Sequence, residues 1–180
     1  MERILLAYST VDGHTREIVA RIAEIYRAEG CETTLYSFDE GAGRPVAEFD
    51  RVIIGASIRY GKHRPNVGDW INANAAELAA RPSAFFSVNL VARKPGRDKV
   101  ETNNYVKKFL DSIDWQPQQV GIFAGKLEYP KYGFWDRQAI RLIMLMTKGP
   151  TDPTAVVEFT DWEKVERFAR DVLALPRQGA

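Results

Sequence analysis

Cysteine and long apolar runs are scarce in this sequence. Cys31 is the only cysteine, so the chain cannot form an internal disulfide, which fits a reducing compartment such as the cytoplasm. The unbroken apolar stretch at residues 142–146 is far shorter than the roughly 20 residues that a membrane-spanning helix requires. The apolar run after Met1 is likewise too short for a signal peptide. We therefore expect neither a disulfide framework nor a transmembrane anchor.

An excess of charge of either sign is also lacking. The 180 residues carry 25 basic and 24 acidic side chains, a formal net charge of +1, and 45% of them are hydrophobic. This composition is typical of a globular protein, and we expect no nucleic-acid partner. No repeat, low-complexity segment or linker divides the chain. The sequence therefore predicts a single domain over residues 1–180.

Motifs for nucleotides, metals and acid–base catalysis are missing as well. The sequence has no Gly-x-Gly-x-x-Gly, which argues against a dinucleotide fold, and no Gly-Lys-Ser/Thr, which argues against an NTPase. We predict no metal site. No pair of side chains has a spacing that indicates a catalytic acid and base, so the catalytic residues stay unassigned.

What the sequence does contain is an alternation of two periodicities. Several of its short apolar runs are apolar throughout, as expected for parallel strands that are covered on both faces. Segments of helical period separate these runs, and Pro65 and a Thr160–Glu163 capping box predict two helix starts. The pattern predicts a doubly wound α/β fold with the flavodoxin-like order 2-1-3-4-5. The five predicted strands span residues 4–8, 33–38, 52–56, 84–90 and 120–124.

The turn after the first predicted strand, residues 9–15, is rich in hydroxyl groups. Backbone N–H groups and Ser/Thr hydroxyls at a helix N-terminus can surround a phosphate, although Asp12 or Thr15 could instead merely cap the helix. Asp12 is expected to shape the turn by local hydrogen bonds. We call this turn the phosphate loop, and its residues are Ser9, Thr10, Val11, Asp12, Gly13, His14 and Thr15.

Two further loops are expected at the same edge of the sheet, after the third and fourth strands. A flat heteroaromatic ring attached to the phosphate would lie between them. Tyr60 could stack on such a ring and Asn89 could bond its polar edge, or Tyr60 could simply cover the core. The flanking residues are Ser57, Ile58, Arg59, Tyr60 and Gly61 in one loop and Asn89, Leu90, Val91, Ala92 and Arg93 in the other.

Together these stretches resemble one family, the flavodoxin-like, menaquinone-dependent protoporphyrinogen IX dehydrogenases of bacteria. The likeness covers nearly the whole chain. It implies FMN as cofactor, with the phosphate in the phosphate loop and the flavin between the two later loops. It also implies protoporphyrinogen IX as substrate and menaquinone or ubiquinone as electron acceptor. The stretches are STVDGHT (9–15), VIIGASIRYGKH (52–63), PSAFFSVNLVARKP (82–95), YPKYGFWDRQAIRLIM (129–144) and FTDWEKVERFAR (159–170).

An insertion, about residues 126–154, separates the fifth strand from the last helix, where a minimal fold needs only a few residues. One helical face is apolar, with Trp135, Ala139, Leu142, Ile143 and Met146. Basic residues exceed acidic ones here, so the segment could lie on an anionic membrane surface, wall a substrate pocket, or pack on its own domain or a second subunit. Candidate substrate-binding residues are Arg59, Lys94, Tyr129, Trp135, Arg137 and Arg141.

Three functions remain open from the sequence. The first is an FMN enzyme that oxidises protoporphyrinogen IX with quinone, lying peripherally on the inner face of the cytoplasmic membrane. The second is an electron carrier, which the near-neutral charge and the basic insertion disfavour. The third is a quinone reductase that uses reduced nicotinamide nucleotides, for which we find no second nucleotide site.

Overall fold

The computed structural model describes residues 1–41 and 45–177, and a five-stranded parallel sheet lies at its centre. The strands follow the order β2-β1-β3-β4-β5, with every neighbouring pair parallel. This order confirms the predicted fold, and each boundary lies within two residues of the expected one. The strands are β1 Arg3–Ser9, β2 Glu32–Ser37, β3 Arg51–Ser57, β4 Ser83–Val88 and β5 Gln119–Phe123.

Helices cover both faces of this sheet, because strands that are apolar on both sides must be shielded on both sides. The alternation along β1 shows the division: Leu5 and Ala7 face one core, while Ile4 and Leu6 face the other. The first core is closed by α2 Pro65–Ala73, α3 Ala75–Ala79 and α4 Asn104–Leu110, and the second by α1 His14–Ala28 and α6 Trp162–Leu173.

An insertion of residues 126–158 lies between β5 and α6 and has a small core of its own. It contains β6 Lys126–Glu128, a 3-10 turn at Tyr129–Lys131, α5 Phe134–Met146 and β7 Val156–Glu158. The two short strands are antiparallel. Met144 of α5 is buried together with Leu127, Tyr129 and Tyr132. The sequence did not predict the β6–β7 pair, because three-residue strands carry almost no periodic signal.

Two helix boundaries differ from the sequence-based expectation. Asp161, not Thr160, caps α6, because its side chain accepts the N–H of Lys164 at 3.0 Å. The Thr160 hydroxyl instead donates to the Ala124 carbonyl at 2.9 Å. The helix expected after β3 breaks into α2 and α3 at Asn74, whose side chain donates to the Trp70 carbonyl at 2.8 Å. Pro65 starts α2 as predicted.

His63 is a buried histidine beneath the loop that follows β3. Its Nε2 lies 3.0 Å from the Ser87 hydroxyl, and its ring packs on Phe109 with centroids 4.4 Å apart. Burial lowers the pKa of His63 to about 4. The folded protein therefore holds this imidazole neutral across most of the acidic range.

The free energy of unfolding should fall as the pH drops from about 6.5 towards about 4. In this range His63 binds a proton in the unfolded chain but stays neutral in the folded protein. His63 should contribute a slope of roughly 1.4 kcal/mol per pH unit in this window. Urea unfolding of His63→Gln, which keeps a donor and acceptor near Ser87, should show a shallower slope than the unsubstituted protein. Equal slopes for the two proteins would contradict this prediction.

Candidate functional site

The carboxyl ends of the three central strands bring the predicted loops to one place. Ser9 at the end of β1 lies beside Ala56 of β3, and Ser57 at the end of β3 lies beside Val88 of β4. The loops after these strands and the insertion enclose a cavity of about 660 Å³. Its position matches the switch point at which doubly wound sheets bind ligands, and its volume suits a cofactor or another small molecule.

The phosphate loop turns sharply through Gly13, whose φ of 89° lies in the left-handed region that favours glycine. The Gly13 N–H donates to the Thr10 hydroxyl at 3.0 Å, so Thr10 shapes the turn. Among the described residues, no side chain caps the start of α1. The N–H groups of its first turn are therefore free to bind an anion beside the positive end of the helix dipole.

Three hydroxyl groups around this loop are buried without a hydrogen-bond partner in the described part of the chain. They belong to Ser9 and Thr15 of the phosphate loop and to Ser57 at the end of β3. A buried hydroxyl without a partner costs about 1–3 kcal/mol, so such groups in a folded protein call for an explanation. Their position beside an uncapped helix start fits an acceptor-rich ligand such as a phosphate ester.

The loop after β3 is a tight hairpin of residues 59–62. The backbones of Arg59 and Lys62 bond to each other in both directions, at 3.0 and 3.1 Å. Tyr60 and Gly61 between them have φ angles of 50° and 78°, as a two-residue hairpin turn of this kind requires. The turn places the Tyr60 ring at the rim of the cavity, where it is 60% exposed.

The sequence predicted that Asp12 shapes the phosphate loop by local hydrogen bonds, but the structure shows a different contact. The Asp12 carboxylate instead pairs with the Arg59 guanidinium, with both oxygens within 3.0 Å of Nη1. The negative charge of Asp12 is thus matched by a cation from a neighbouring loop. This pairing would allow the carboxylate to lie close to a phosphate bound by this loop.

Hydrogen bonds also occupy His14 near the end of the phosphate loop and Asn89 in the loop after β4. His14 lies 2.9 Å from the Glu17 carboxylate and 2.6 Å from the Thr160 hydroxyl. The Asn89 side chain accepts the Ala92 N–H at 3.0 Å and donates to the Ser87 hydroxyl at 3.2 Å. Asn89 therefore fixes the shape of the loop after β4, while its buried side chain still lines the cavity.

Two arginines join these loops to the two ends of α5. Arg59 reaches Asp136 in the first turn of the helix at 2.6 Å, and the Tyr60 hydroxyl also donates to Asp136. Arg93 reaches the Thr147 hydroxyl at the other end at 2.8 Å. The hydrogen bond from Tyr60, followed by the charge of Arg59, lowers the pKa of Asp136, so the carboxylate is ionised near neutral pH. The helix is therefore held across the cavity as one of its walls.

Most of the residues predicted to hold the cofactor line this cavity, but most of the candidate substrate residues do not. Tyr129 is fully buried inside the insertion, and Trp135 points outwards. The guanidinium groups of Arg137 and Arg141 donate to the carbonyls of Tyr132 and Thr151. Lys94 borders a smaller, separate cavity. The predicted residues at the main cavity are Thr10, Val11, Asp12, His14, Thr15, Ser57, Ile58, Arg59, Tyr60, Gly61, Asn89, Leu90, Val91 and Arg93, whereas Ser9, Gly13 and Ala92 do not line it and Ala92 borders the smaller cavity.

Several cavity residues were not predicted from the sequence. Ile140, Ile143, Met144 and Thr147 are spaced as one face of a helix, a pattern that could have identified the cavity side of α5. No sequence pattern distinguishes the others, because tertiary packing alone brings them to the site. These are Lys62, Val88, Tyr105, Gly125, Lys126 and Tyr132.

Comparison with known proteins identifies the class to which this fold and site belong. Residues 5–154 match the model of the flavodoxin domain family, so the chain belongs to that family. Flavodoxins bind FMN at the switch point between β1 and β3. The predictions of a flavodoxin-like fold and an FMN cofactor are thereby confirmed, while the individual residues that hold FMN stay a prediction.

The chain is also similar to particular enzymes. It is 44% identical over 175 residues to protoporphyrinogen IX dehydrogenase [quinone] of Leishmania major, covering 97% of this chain and 76% of that protein. It is 41% identical over 173 residues to the protein of the same name from Escherichia coli strain K12, covering 96% of both chains. A short-chain flavodoxin associated with a non-canonical PDU bacterial microcompartment has a similar fold, with a TM-score of 0.54 and 13% identity over 96% of this chain and 97% of that one.

The unpartnered hydroxyls lead to a prediction about cofactor affinity. Each hydrogen bond to a charged acceptor is worth roughly 1.5–3 kcal/mol, so Ser9→Ala combined with Thr15→Ala should raise the dissociation constant of FMN at least about 100-fold. Titration of the apoprotein with FMN, followed by flavin fluorescence, measures this change.

Thr33→Ala is a matched control for this experiment. The Thr33 hydroxyl is also buried without a partner in the described structure, but it lies on β2, away from the cavity. Its removal should leave FMN affinity unchanged. If the double variant binds FMN as tightly as the control does, the two hydroxyls do not contact the phosphate.

Proposed function

We propose that this protein is an FMN-dependent dehydrogenase that oxidises protoporphyrinogen IX to protoporphyrin IX and reduces a respiratory quinone. The observation that carries this proposal is the 41% identity to a protoporphyrinogen IX dehydrogenase [quinone] over 96% of both chains. The similarity therefore includes the insertion that forms one wall of the cavity.

The residues at the cavity support a role in holding FMN. The Ser9 and Thr15 hydroxyls and the free N–H groups of α1 would bind the phosphate, and the Ser57 hydroxyl would bond a polar atom of the cofactor. The bound flavin would supply the redox chemistry, accepting electrons from one substrate and delivering them to the other. Tyr60 at the cavity rim provides an aromatic face for a flat ring.

The remaining walls fit large, flat, anionic and lipophilic substrates. Ile140, Ile143 and Met144 of α5 present apolar surface to the cavity and exclude water from that side. Several basic side chains line the cavity, among them Arg59, Lys62 and Lys126. Such cations can pair the propionate groups of a porphyrinogen. We assign the carboxylate-binding role to Arg59, since its guanidinium already binds carboxylates there.

An anaerobic steady-state assay with the FMN-loaded protein tests the proposed activity. With protoporphyrinogen IX and a menaquinone or ubiquinone analogue, protoporphyrin fluorescence should appear in an enzyme-dependent reaction. Reduced nicotinamide nucleotide with the same quinone should react much more slowly, because no second nucleotide site is evident in the sequence. The reverse order of rates would identify a nicotinamide-dependent quinone reductase. Reaction in neither assay would leave an electron carrier as the function.

The outer face of α5 suits a second part of the proposal, peripheral binding to the cytoplasmic face of a membrane. In the described chain, no helix is long and apolar enough to cross a bilayer. Trp135 is 81% exposed and Met146 is 77% exposed, values unusual for such large apolar side chains. This outer apolar face consists of Phe134, Trp135, Leu142, Leu145 and Met146.

A bilayer surface fits this face better than a second subunit does. The face belongs to the helix whose other side lines the cavity, and the cavity lining also includes the exposed side chains of Val11, Tyr60 and Tyr105. Exposed Lys131 and Lys148 lie at the two ends of α5, where they can attract anionic headgroups. A cavity that opens at a membrane would receive lipophilic quinone directly from the bilayer.

Polar substitution of the outer apolar face should weaken binding to vesicles of phosphatidylcholine and phosphatidylglycerol. In the variant Trp135→Gln, Leu142→Gln, Met146→Gln, each substitution removes roughly 1–3 kcal/mol of apolar burial, so sedimentation with vesicles should drop at least about tenfold. FMN binding should persist, because none of the three side chains lines the cavity.

Val156→Gln serves as the control, because Val156 is an exposed apolar residue of the insertion outside α5. It should bind vesicles as the unsubstituted protein does. Unchanged vesicle binding of the triple variant would contradict the membrane proposal. A change from dimer to monomer in that variant, measured by sedimentation velocity, would show instead that this face binds a second copy of the chain.

A further inference from the structure

Arg59 carries an unusual share of the charge at the cavity mouth. Its guanidinium contacts Asp12 on one side, at 2.9 and 3.0 Å, and Asp136 on the other, at 2.6 Å. It also lies over the rings of Tyr60 and Tyr132, at 5.6 and 5.3 Å from their centroids. One cation thus balances two carboxylates, one through Nη1 and the other through Nη2.

The two carboxylates are not held equally. Both oxygens of Asp12 contact Arg59, and the side chain belongs to the phosphate loop of the main domain. Asp136 contacts Arg59 through one oxygen, has a more exposed side chain and belongs to the insertion. A competing carboxylate would therefore displace Asp136 more easily than Asp12.

The two ends of α5 also differ in how firmly they are attached to the rest of the molecule. At the C-terminal end, Arg93 holds both the hydroxyl and the carbonyl of Thr147, and Met144 is fully buried. At the N-terminal end, Phe134 and Trp135 pack against each other and remain exposed. The contact of Asp136 with Arg59 and Tyr60 is thus a main attachment of the first turn of α5 to the rest of the molecule.

We propose that Asp136 is a specificity-determining residue that occupies Arg59 in place of a substrate carboxylate. A propionate of the porphyrinogen replaces Asp136 at Arg59, and the first turn of α5 moves away with its side chain. The inference rests on the proposed function, because it requires an anionic porphyrin ligand. When a ligand carboxylate replaces Asp136, Arg59 remains paired with a negative charge. An uncharged ligand that displaces Asp136 would leave this pairing unmade.

Equilibrium titration of the FMN-loaded protein with two porphyrins tests this inference without turnover. Protoporphyrin IX has two free propionates, and its dimethyl ester has none. Asp136→Asn removes the competing charge, so it should bind the diacid roughly tenfold more tightly, since a competing state reduces apparent affinity by its population. The affinity for the dimethyl ester should not change. Porphyrin fluorescence reports both equilibria.

Asp98→Asn is a matched control. Asp98 also forms a 2.6 Å ion pair, with Lys164, and its side chain is as exposed as that of Asp136, but its partner Lys164 does not line the main cavity, whereas Arg59 does. It should change neither affinity. Arg59→Gln should abolish the preference for the diacid, and adding Asp136→Asn to it should restore nothing.

The outcomes separate the inference from the proposed function. If the unsubstituted protein binds neither porphyrin, the proposed function fails and the role of Asp136 fails with it. If it binds the diacid and Asp136→Asn has the same affinity, only the role of Asp136 is overturned. Equal tightening of both porphyrins would also overturn it, because Asp136 would then restrain α5 without competing for Arg59.

Discussion

The burial of a parallel sheet on both faces is the constraint on which the rest of this structure depends. A sheet that is apolar on both sides must be covered by helices, and each crossover helix returns the chain to the same edge. The loops after β1, β3 and β4 therefore meet, although Val88, the last residue of β4, lies 79 positions after Ser9, the last residue of β1. Polar side chains can gather there without disturbing either core.

The site itself is organised by arginines that match charges from different loops. Arg59 balances the charge of Asp12 in the phosphate loop and connects that loop to the insertion through Asp136. Arg93 binds a carbonyl of its own loop, Leu90, and the end of α5. Burial lowers the pKa of Arg93, which reflects how far the helix end and the loop enclose it. The insertion thus becomes part of the cavity through a few strong polar contacts, in addition to apolar packing.

The sequence predicts the sheet well because its strands differ so clearly from the helices in period and in apolar content. The turn between β1 and α1 was also predictable, because hydroxyl residues such as Ser9, Thr10 and Thr15 around a glycine are a local feature, while its binding of a phosphate stays a prediction. The roles of Arg137 and Arg141 were not predictable in this way. Their spacing indicates a shared helical face, but whether that face meets a cavity or the carbonyls of Tyr132 and Thr151 depends on how the insertion folds back on itself.

Long-range pairing explains the other differences. Asp12 finds its partner 47 positions away, and no local pattern announces a charge pair of that kind. Thr160 was expected to cap α6, yet its hydroxyl donates to the carbonyl of Ala124, which is 36 positions distant. Tyr105 lies in α4 next to Val106, which is buried in the core, but its own ring is partly exposed and borders the cavity.

The insertion leaves the main fold and returns to it at nearly the same point. Phe159 donates its N–H to the Gly125 carbonyl at 3.1 Å, and the strands β6 and β7 run side by side from there. A segment whose two ends are already adjacent adds little closure entropy to the fold, and that cost grows only slowly with length. Evolution can therefore lengthen, shorten or replace this segment without rebuilding the sheet. The same flavin scaffold can thus acquire a new substrate wall as a single modular change.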